Sequence, residues 1–147
     1  MANTERVSPP PTTGIHHFSP TVSDIEASAD WYTRVFGMTR LDRLAPHHGD
    51  EDGGYAVLLV EPTTGFLIGL HHHEGFHGGQ FDERRAGLDH LAWGVSTRAD
   101  LDAWSEWLTQ LGVSHSGVIE KPHVSYAAIV FRDPDNIQLE LFFRYPA

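Results

Sequence analysis

The chain has 147 residues, 40% of them hydrophobic, and no cysteine, so it is the size of one domain and holds neither disulfides nor thiolate metal sites. A formal net charge of −10, with no basic stripe to offset it, repels phosphate backbones and argues against nucleic-acid binding. No run approaches the roughly 18 apolar residues of a membrane span, residues 1–14 lack the basic start and apolar stretch of a secretory signal, and the absence of cysteine makes a reducing cytoplasm the default expectation.

Residues 1–13, rich in proline and polar side chains, read as a flexible lead-in that ends near Gly14. From there to the C-terminus a single domain is expected, built from modules at about 14–73 and 87–147. The first module opens with a short strand at His17, followed by the helical stretch DIEASADWYTRVFG. Ser23 or Asp24 is its cap, Ile25, Ala29, Tyr32, Val35 and Phe36 form its apolar face, and Gly37 ends it. MTRLDRL, YAVLLVE and FLIGLHH then read as three strands. The glycine-rich, charged stretch HEGFHGGQFDERRAG connects to a second strand–helix unit. There His90 opens a strand, TRADLDAWSEWLTQLG repeats Leu101, Trp104, Leu108 and Leu111 at helical spacing, and Gly112 ends the helix. VSHSGVIE, SYAAIVF and IQLELFF complete three more strands. The two histidines lie 73 residues apart and the two glycines 75 apart, so the chain duplicates one βαβββ unit. The expected class is α+β, with the two units forming a curled mixed-sheet trough and helices on its outside.

Strand side chains alternate, so residues two apart share a face. With Phe18 and Val22 turned to the core, His17, Ser19 and Thr21 turn away from it. Likewise Leu91, Trp93 and Val95 oppose His90, Ala92 and Gly94. Ile68 and Leu70 oppose Leu67, Gly69 and His71, and Ile137, Leu139 and Leu141 oppose Gln138, Glu140 and Phe142. If the halves pair about a pseudo-two-fold axis, His17, His90 and Glu140 converge. Two imidazoles and a carboxylate with open positions suit a divalent metal (Fe, Mn, Zn or Ni), and the 11 histidines of a thiol-free chain add to that case.

The stretches GIHHFSPTVSDIEASADWYTRVFGM, GLDHLAWGV and FRDPDNIQLELF resemble the vicinal oxygen chelate superfamily, which holds glyoxalase I, bleomycin-resistance proteins, fosfomycin-resistance enzymes and extradiol dioxygenases. The resemblance runs from about Gly14 to Phe143 and places the family's metal ligands on His17, His90 and Glu140, with His16 pointing the other way. It implies a metal-dependent enzyme that polarises an oxygen-bearing group of a small substrate, in a homodimer whose sites are often completed across subunits. Glyoxalase I-like enzymes carry a fourth ligand on the fourth strand, where this chain has Gly69; His71 is then the substitute base. His123 stands where extradiol dioxygenases carry a catalytic histidine, but Val130 replaces their tyrosine, Asn136 their glycine, and Tyr126 comes four residues early. Ser19 matches a hydroxyl residue of the fosfomycin group, yet no basic cluster for a phosphonate is visible. The alternative is a non-catalytic antibiotic-binding protein of the bleomycin-resistance kind, with Trp31, Trp93, Trp107, Phe66 and Phe76 as stacking surfaces. His72 and His73 read as a solvated strand end, and His47, His48, His77 and His115 as loop bystanders.

Overall fold

A computed structural model of the chain describes residues 9, 11–46 and 53–146. His47 and His48 lie outside the described residues, as does most of the N-terminal lead-in. In chain order the elements are β1 (His17–Phe18), α1 (Ile25–Phe36), β2 (Thr39–Pro46), β3 (Tyr55–Val60), β4 (Leu67–His72), β5 (His90–Gly94), α2 (Arg98–Gln110), β6 (Ile119–Lys121), a 3-10 turn (Pro122–Val124), β7 (Tyr126–Arg132) and β8 (Gln138–Arg144). The strands form two four-stranded mixed sheets, ordered β1-β4-β3-β2 and β5-β8-β7-β6. In each, the first strand runs parallel to the fourth of its unit and the other pairings are antiparallel. The α+β class and the duplicated βαβββ unit are therefore as the sequence led us to expect.

Local signals explain both helices. Asp24, extended at its backbone, accepts from the Ala27 amide at 3.0 Å, and Gly37 closes α1 at φ 66°, a conformation glycine adopts without Cβ strain. Thr97 and Asp100 form a reciprocal capping box on α2. Leu111, rather than Gly112, is the C-cap of α2; Gly112 follows at φ 70° and its amide, with that of Val113, bonds back into the last turn. Two strands are shorter than their sequence runs. β1 keeps two residues, extended by a bridge from Thr21 to His71, and β6 keeps three, extended by a bridge from His115 to Phe131.

One core joins the two units. Tyr32, Val35, Leu59, Ile68 and Leu70 of the first lie in the same buried cluster as Leu101, Leu108, Phe131, Leu139 and Leu141 of the second. Helix α1 is the joint. It packs on β3 and β4, and its aromatic face reaches across: Phe36 stacks on Trp93 at 4.4 Å, and Trp31 lies 6.4 Å from Phe131. Polar contacts cross the same seam. The Tyr32 hydroxyl donates to Asp133 at 2.9 Å, the Ser23 amide to Asp135 at 3.1 Å, and the Trp107 indole to the Val35 carbonyl at 3.0 Å. Among the described residues no helix is long and apolar enough to cross a membrane.

Candidate functional site

The second sheet carries the better-formed half of the site. Its outer face, opposite Trp93 and Phe131, presents His90 on β5 and Glu140 on the adjacent β8. Their Nε2 and Oε2 atoms stand 3.8 Å apart, a gap that one ion with bonds of about 2.1 Å to each could bridge. Asp89 holds His90 Nδ1 at 2.5 Å, which fixes the ring and leaves Nε2 facing the carboxylate. Glu140 is held as well. Gln138 donates to its Oε1 at 3.3 Å, while Arg132 donates to the Gln138 carbonyl oxygen at 3.1 Å and thereby sets which end of the amide faces Glu140. Glu83, from the connector, grips Arg132 through both guanidinium ends at 2.8 and 2.9 Å. That clamp holds the Glu83 carboxyl at about 2, well below its ordinary value, chiefly through the Arg132 hydrogen bond. A cavity of about 300 Å³ lies over this face, lined by His90, Glu140, Lys121, Tyr126, Val130 and Phe142.

The first sheet carries the other half. On β4, Gly69 and His71 share a face with Leu67, and Ile68 and Leu70 on the reverse are fully buried. A Cβ at Gly69 would lie 2.9 Å from Ser19 Oγ and 3.6 Å from His71 Nε2, so hydroxyl and imidazole flank the place where a longer side chain is missing. His17 is level with Leu67 and Thr21 with His71. Four residues of strand, about 13 Å, thus separate the backbones of His17 and His71, although His71 leans back toward Ser19. His16 does not diverge from His17 as alternation would require. The two Nδ1 atoms lie 3.0 Å apart, because a strand of two residues imposes little alternation on the residue before it.

Each candidate face is the reverse of the sheet face that packs into the shared core. Among the described residues no three His, Asp or Glu side chains converge as a metal cluster. Of the three expected ligands, His90 and Glu140 stand side by side on the second sheet, and His17 lies on β1 of the first. His123 sits exposed on the 3-10 turn, outside the cavity over Glu140. Trp31, Trp93 and Phe66, read as stacking surfaces, pack against the core, and Trp107 is 40% exposed with its indole bonded to α1. Phe76 lines an open cavity of about 420 Å³ between β1 and the connector, Phe66 and Trp93 line one of about 300 Å³, and Trp107 one of about 390 Å³. Asp89 and the Arg132–Gln138 relay escaped the sequence reading. Asp89 was discoverable, as an acid beside a candidate ligand; the relay depends on strand register.

The sequence profile of the Glyoxalase/Bleomycin resistance protein/Dioxygenase superfamily matches residues 14–141. The chain belongs to that superfamily. Among solved structures, the glyoxylase/bleomycin resistance protein/dioxygenase domain from Frankia sp. EAN1pec is 34% identical, with TM-score 0.77 over 91% of this chain and 99% of that one. The fosfomycin resistance protein FosX from Listeria monocytogenes is 16% identical, with TM-score 0.63 over 90% and 93% of the two chains, a likeness of fold. In sequence, the putative ring-cleaving dioxygenase MhqA of Bacillus subtilis (strain 168) is 27% identical over 121 residues, 82% of this chain but only 36% of MhqA. YqjT of the same organism is 25% identical over 136 residues, 86% of this chain and 96% of that protein.

Proposed function

We propose that this superfamily member is a divalent-metal-dependent enzyme acting on a small oxygenated molecule, with each site assembled from two copies of the chain. His90 and Glu140 of one copy and His17 of a second would hold the ion. The observation that carries this reading is the His90–Glu140 pair, 3.8 Å apart over an open cavity, with both side chains oriented by outer hydrogen bonds. Such support is what a ligand pair needs and a solvated ion pair does not. The set of two imidazoles and one carboxylate suits Fe, Mn, Zn or Ni. A bound ion of this kind would polarise a substrate oxygen and stabilise negative charge developing on it. The chain's own part is to orient and to move protons: Asp89 keeps the His90 tautomer fixed, and His71 is the side chain placed to accept a proton beside Ser19. Two named proteins favour such chemistry: MhqA as a putative ring-cleaving dioxygenase, and FosX, one variant of which was crystallised with Mn(II) and a dihydroxypropylphosphonic acid.

A non-catalytic small-molecule trap is the second reading, favoured by the apolar cavity beside β1 with Phe76, Phe81 and Leu88 in its wall. Elemental analysis of untagged protein separates the two. The enzyme reading expects about one transition metal per chain, lost in His17→Ala, His90→Ala and Glu140→Ala variants; the trap expects none. Mixing His17→Ala with Glu140→Ala chains tests the assembly. Random pairing of two such variants in a two-fold dimer restores about a quarter of the wild-type sites, because one site of each mixed pair keeps all three ligands. Metal uptake that stays at the level of the separate variants would overturn the two-copy site.

A further inference from the structure

The face that carries His90 and Glu140 ends, at the far side of its cavity, in a row that no short stretch of sequence reveals. Strand register places Lys121 of β6 opposite Tyr126 of β7, and Tyr126 opposite Arg144 of β8. Arg144 shares parity with Gln138, Glu140 and Phe142, so it belongs to the same face. Lys121 and Tyr126 line the cavity over Glu140. Two cations, 23 residues apart in the chain, thus flank one tyrosine.

Neither cation is spent within the fold. Among the described residues Lys121 and Arg144, like Arg34 and Arg43, make no ion pair, while Arg40, Arg84, Arg85, Arg98 and Arg132 each have a carboxylate partner. The acidic neighbour of Lys121 is occupied elsewhere: Glu120 points to the other face, where it takes Arg98 and, at 2.7 Å, the Tyr145 hydroxyl. In a chain of net charge −10, a lysine in the cavity wall and an arginine level with the same tyrosine at its edge concentrate positive charge at one end of this face. Between this row and Glu140 lies an aromatic floor, Tyr126 stacked on Phe142 with centroids 4.9 Å apart and planes at 25°.

We infer that this face takes an aromatic carboxylate: its planar body lies on Tyr126 and Phe142, its anionic arm meets Lys121 and Arg144, and its opposite end points to His90 and Glu140. Glu140 and Arg144 are four residues apart, about 13 Å along the strand. Long basic side chains leaning inward shorten that span, which suits one ring with an arm of two or three carbons and is too long for a bare two-carbon acid. The inference names the substrate class of the proposed site and rests on that reading for the role of this face, but not on a bound metal.

The test uses phenylpropionate and its neutral isostere phenylpropionamide on metal-free protein, so that the carboxylate has no metal to ligate. Binding of each is followed by ligand-observed NMR. Wild-type protein is expected to prefer the carboxylate at least tenfold, about 1.4 kcal/mol. Lys121→Met should reduce that preference to within twofold, Arg144→Met should reduce it partway, and Lys121→Arg should retain it. Absence of carboxylate preference in the wild type, or its survival in Lys121→Met, overturns the inference. A protein that takes up no metal yet keeps the charge preference would sink the enzyme reading and leave this one standing.

Discussion

Substituting Tyr32→Phe tests the joint between the two modules. Tyr32 is fully buried in α1, and its hydroxyl donates across the module seam to Asp133, itself only 5% exposed. The other carboxylate oxygen of Asp133 already accepts from the Asp135 and Ile137 amides at 3.0 and 2.7 Å. Removing the hydroxyl strands one buried carboxylate oxygen at no change in packing shape. A hydrogen bond to a charged group contributes about 1.5–3 kcal/mol, so the variant should lose about 2 kcal/mol at neutral pH. For a chain of this size that is roughly 4–8 °C in Tm.

The loss should also depend on pH. Burial, the largest influence, raises the Asp133 carboxyl above its ordinary value of 3.8, while the Tyr32 hydrogen bond pulls it down. A raised folded-state value means that Asp133 favours the fold fully below the unfolded value, and that this contribution is lost as pH rises through the folded one. Without Tyr32 the folded value climbs further, so the penalty should be larger at pH 7 than at pH 3.5. Urea unfolding at both pH values, with Asp133→Asn and the double variant completing a cycle, gives the coupling directly. A coupling below about 0.5 kcal/mol, or a penalty equal at both pH values, would refute the argument. Two separate unfolding transitions in the wild type would refute the single joined core on which it stands.

The Glu83–Arg132 clamp should show in acid. With Glu83 held at about 2 against an ordinary 4.5, its contribution is complete above the ordinary value and lost as pH falls toward 2. Glu83→Gln should therefore flatten part of the decline in Tm over that window, and an unchanged profile would show that the clamp adds nothing to stability. Further along the same chain of contacts, Gln138→Leu removes the donor to Glu140 Oε1 and leaves Arg132 held by Glu83. If Glu140 is a ligand, metal affinity measured by competition with a chromophoric chelator should fall about tenfold or more, with Tm within a few degrees of wild type. Unaltered affinity would remove Gln138 from the positioning of Glu140.

Much of the architecture was legible because it rests on local rules. Caps at Asp24 and Thr97, left-handed glycines at Gly37 and Gly112, and strand parity in YAVLLV and QLELFF are written within a few residues of where they act. Asn136 shows the same logic. It stands in the left-handed region at φ 69° where a glycine would be usual, and asparagine tolerates that region better than most residues. Its side chain also donates to the Phe81 carbonyl at 2.9 Å, tying the turn to the connector. What could not be read were the long-range pairings. Nothing near Tyr32 announces Asp133, 101 residues away, and nothing near Lys121 announces Arg144. Register decides the second, and the packing of one module on the other decides the first.

That packing bears directly on how a duplicated chain comes to build a site. Each βαβββ sheet has two faces, and burial of one against helices satisfies the hydrophobic demand of a module. Here the aromatic face of α1 serves both sheets at once, with Phe36 on Trp93 and Tyr32 on Asp133, so one helix joins the two modules. Separating the two modules would break the Tyr32, Ser23 and Trp107 hydrogen bonds and expose the stacked aromatics between them. At about 1 kcal/mol for each neutral bond, more for the charged ones, and about 1.5–3 kcal/mol for each large apolar side chain, such an opening consumes most of the 5–15 kcal/mol that stabilises a typical domain.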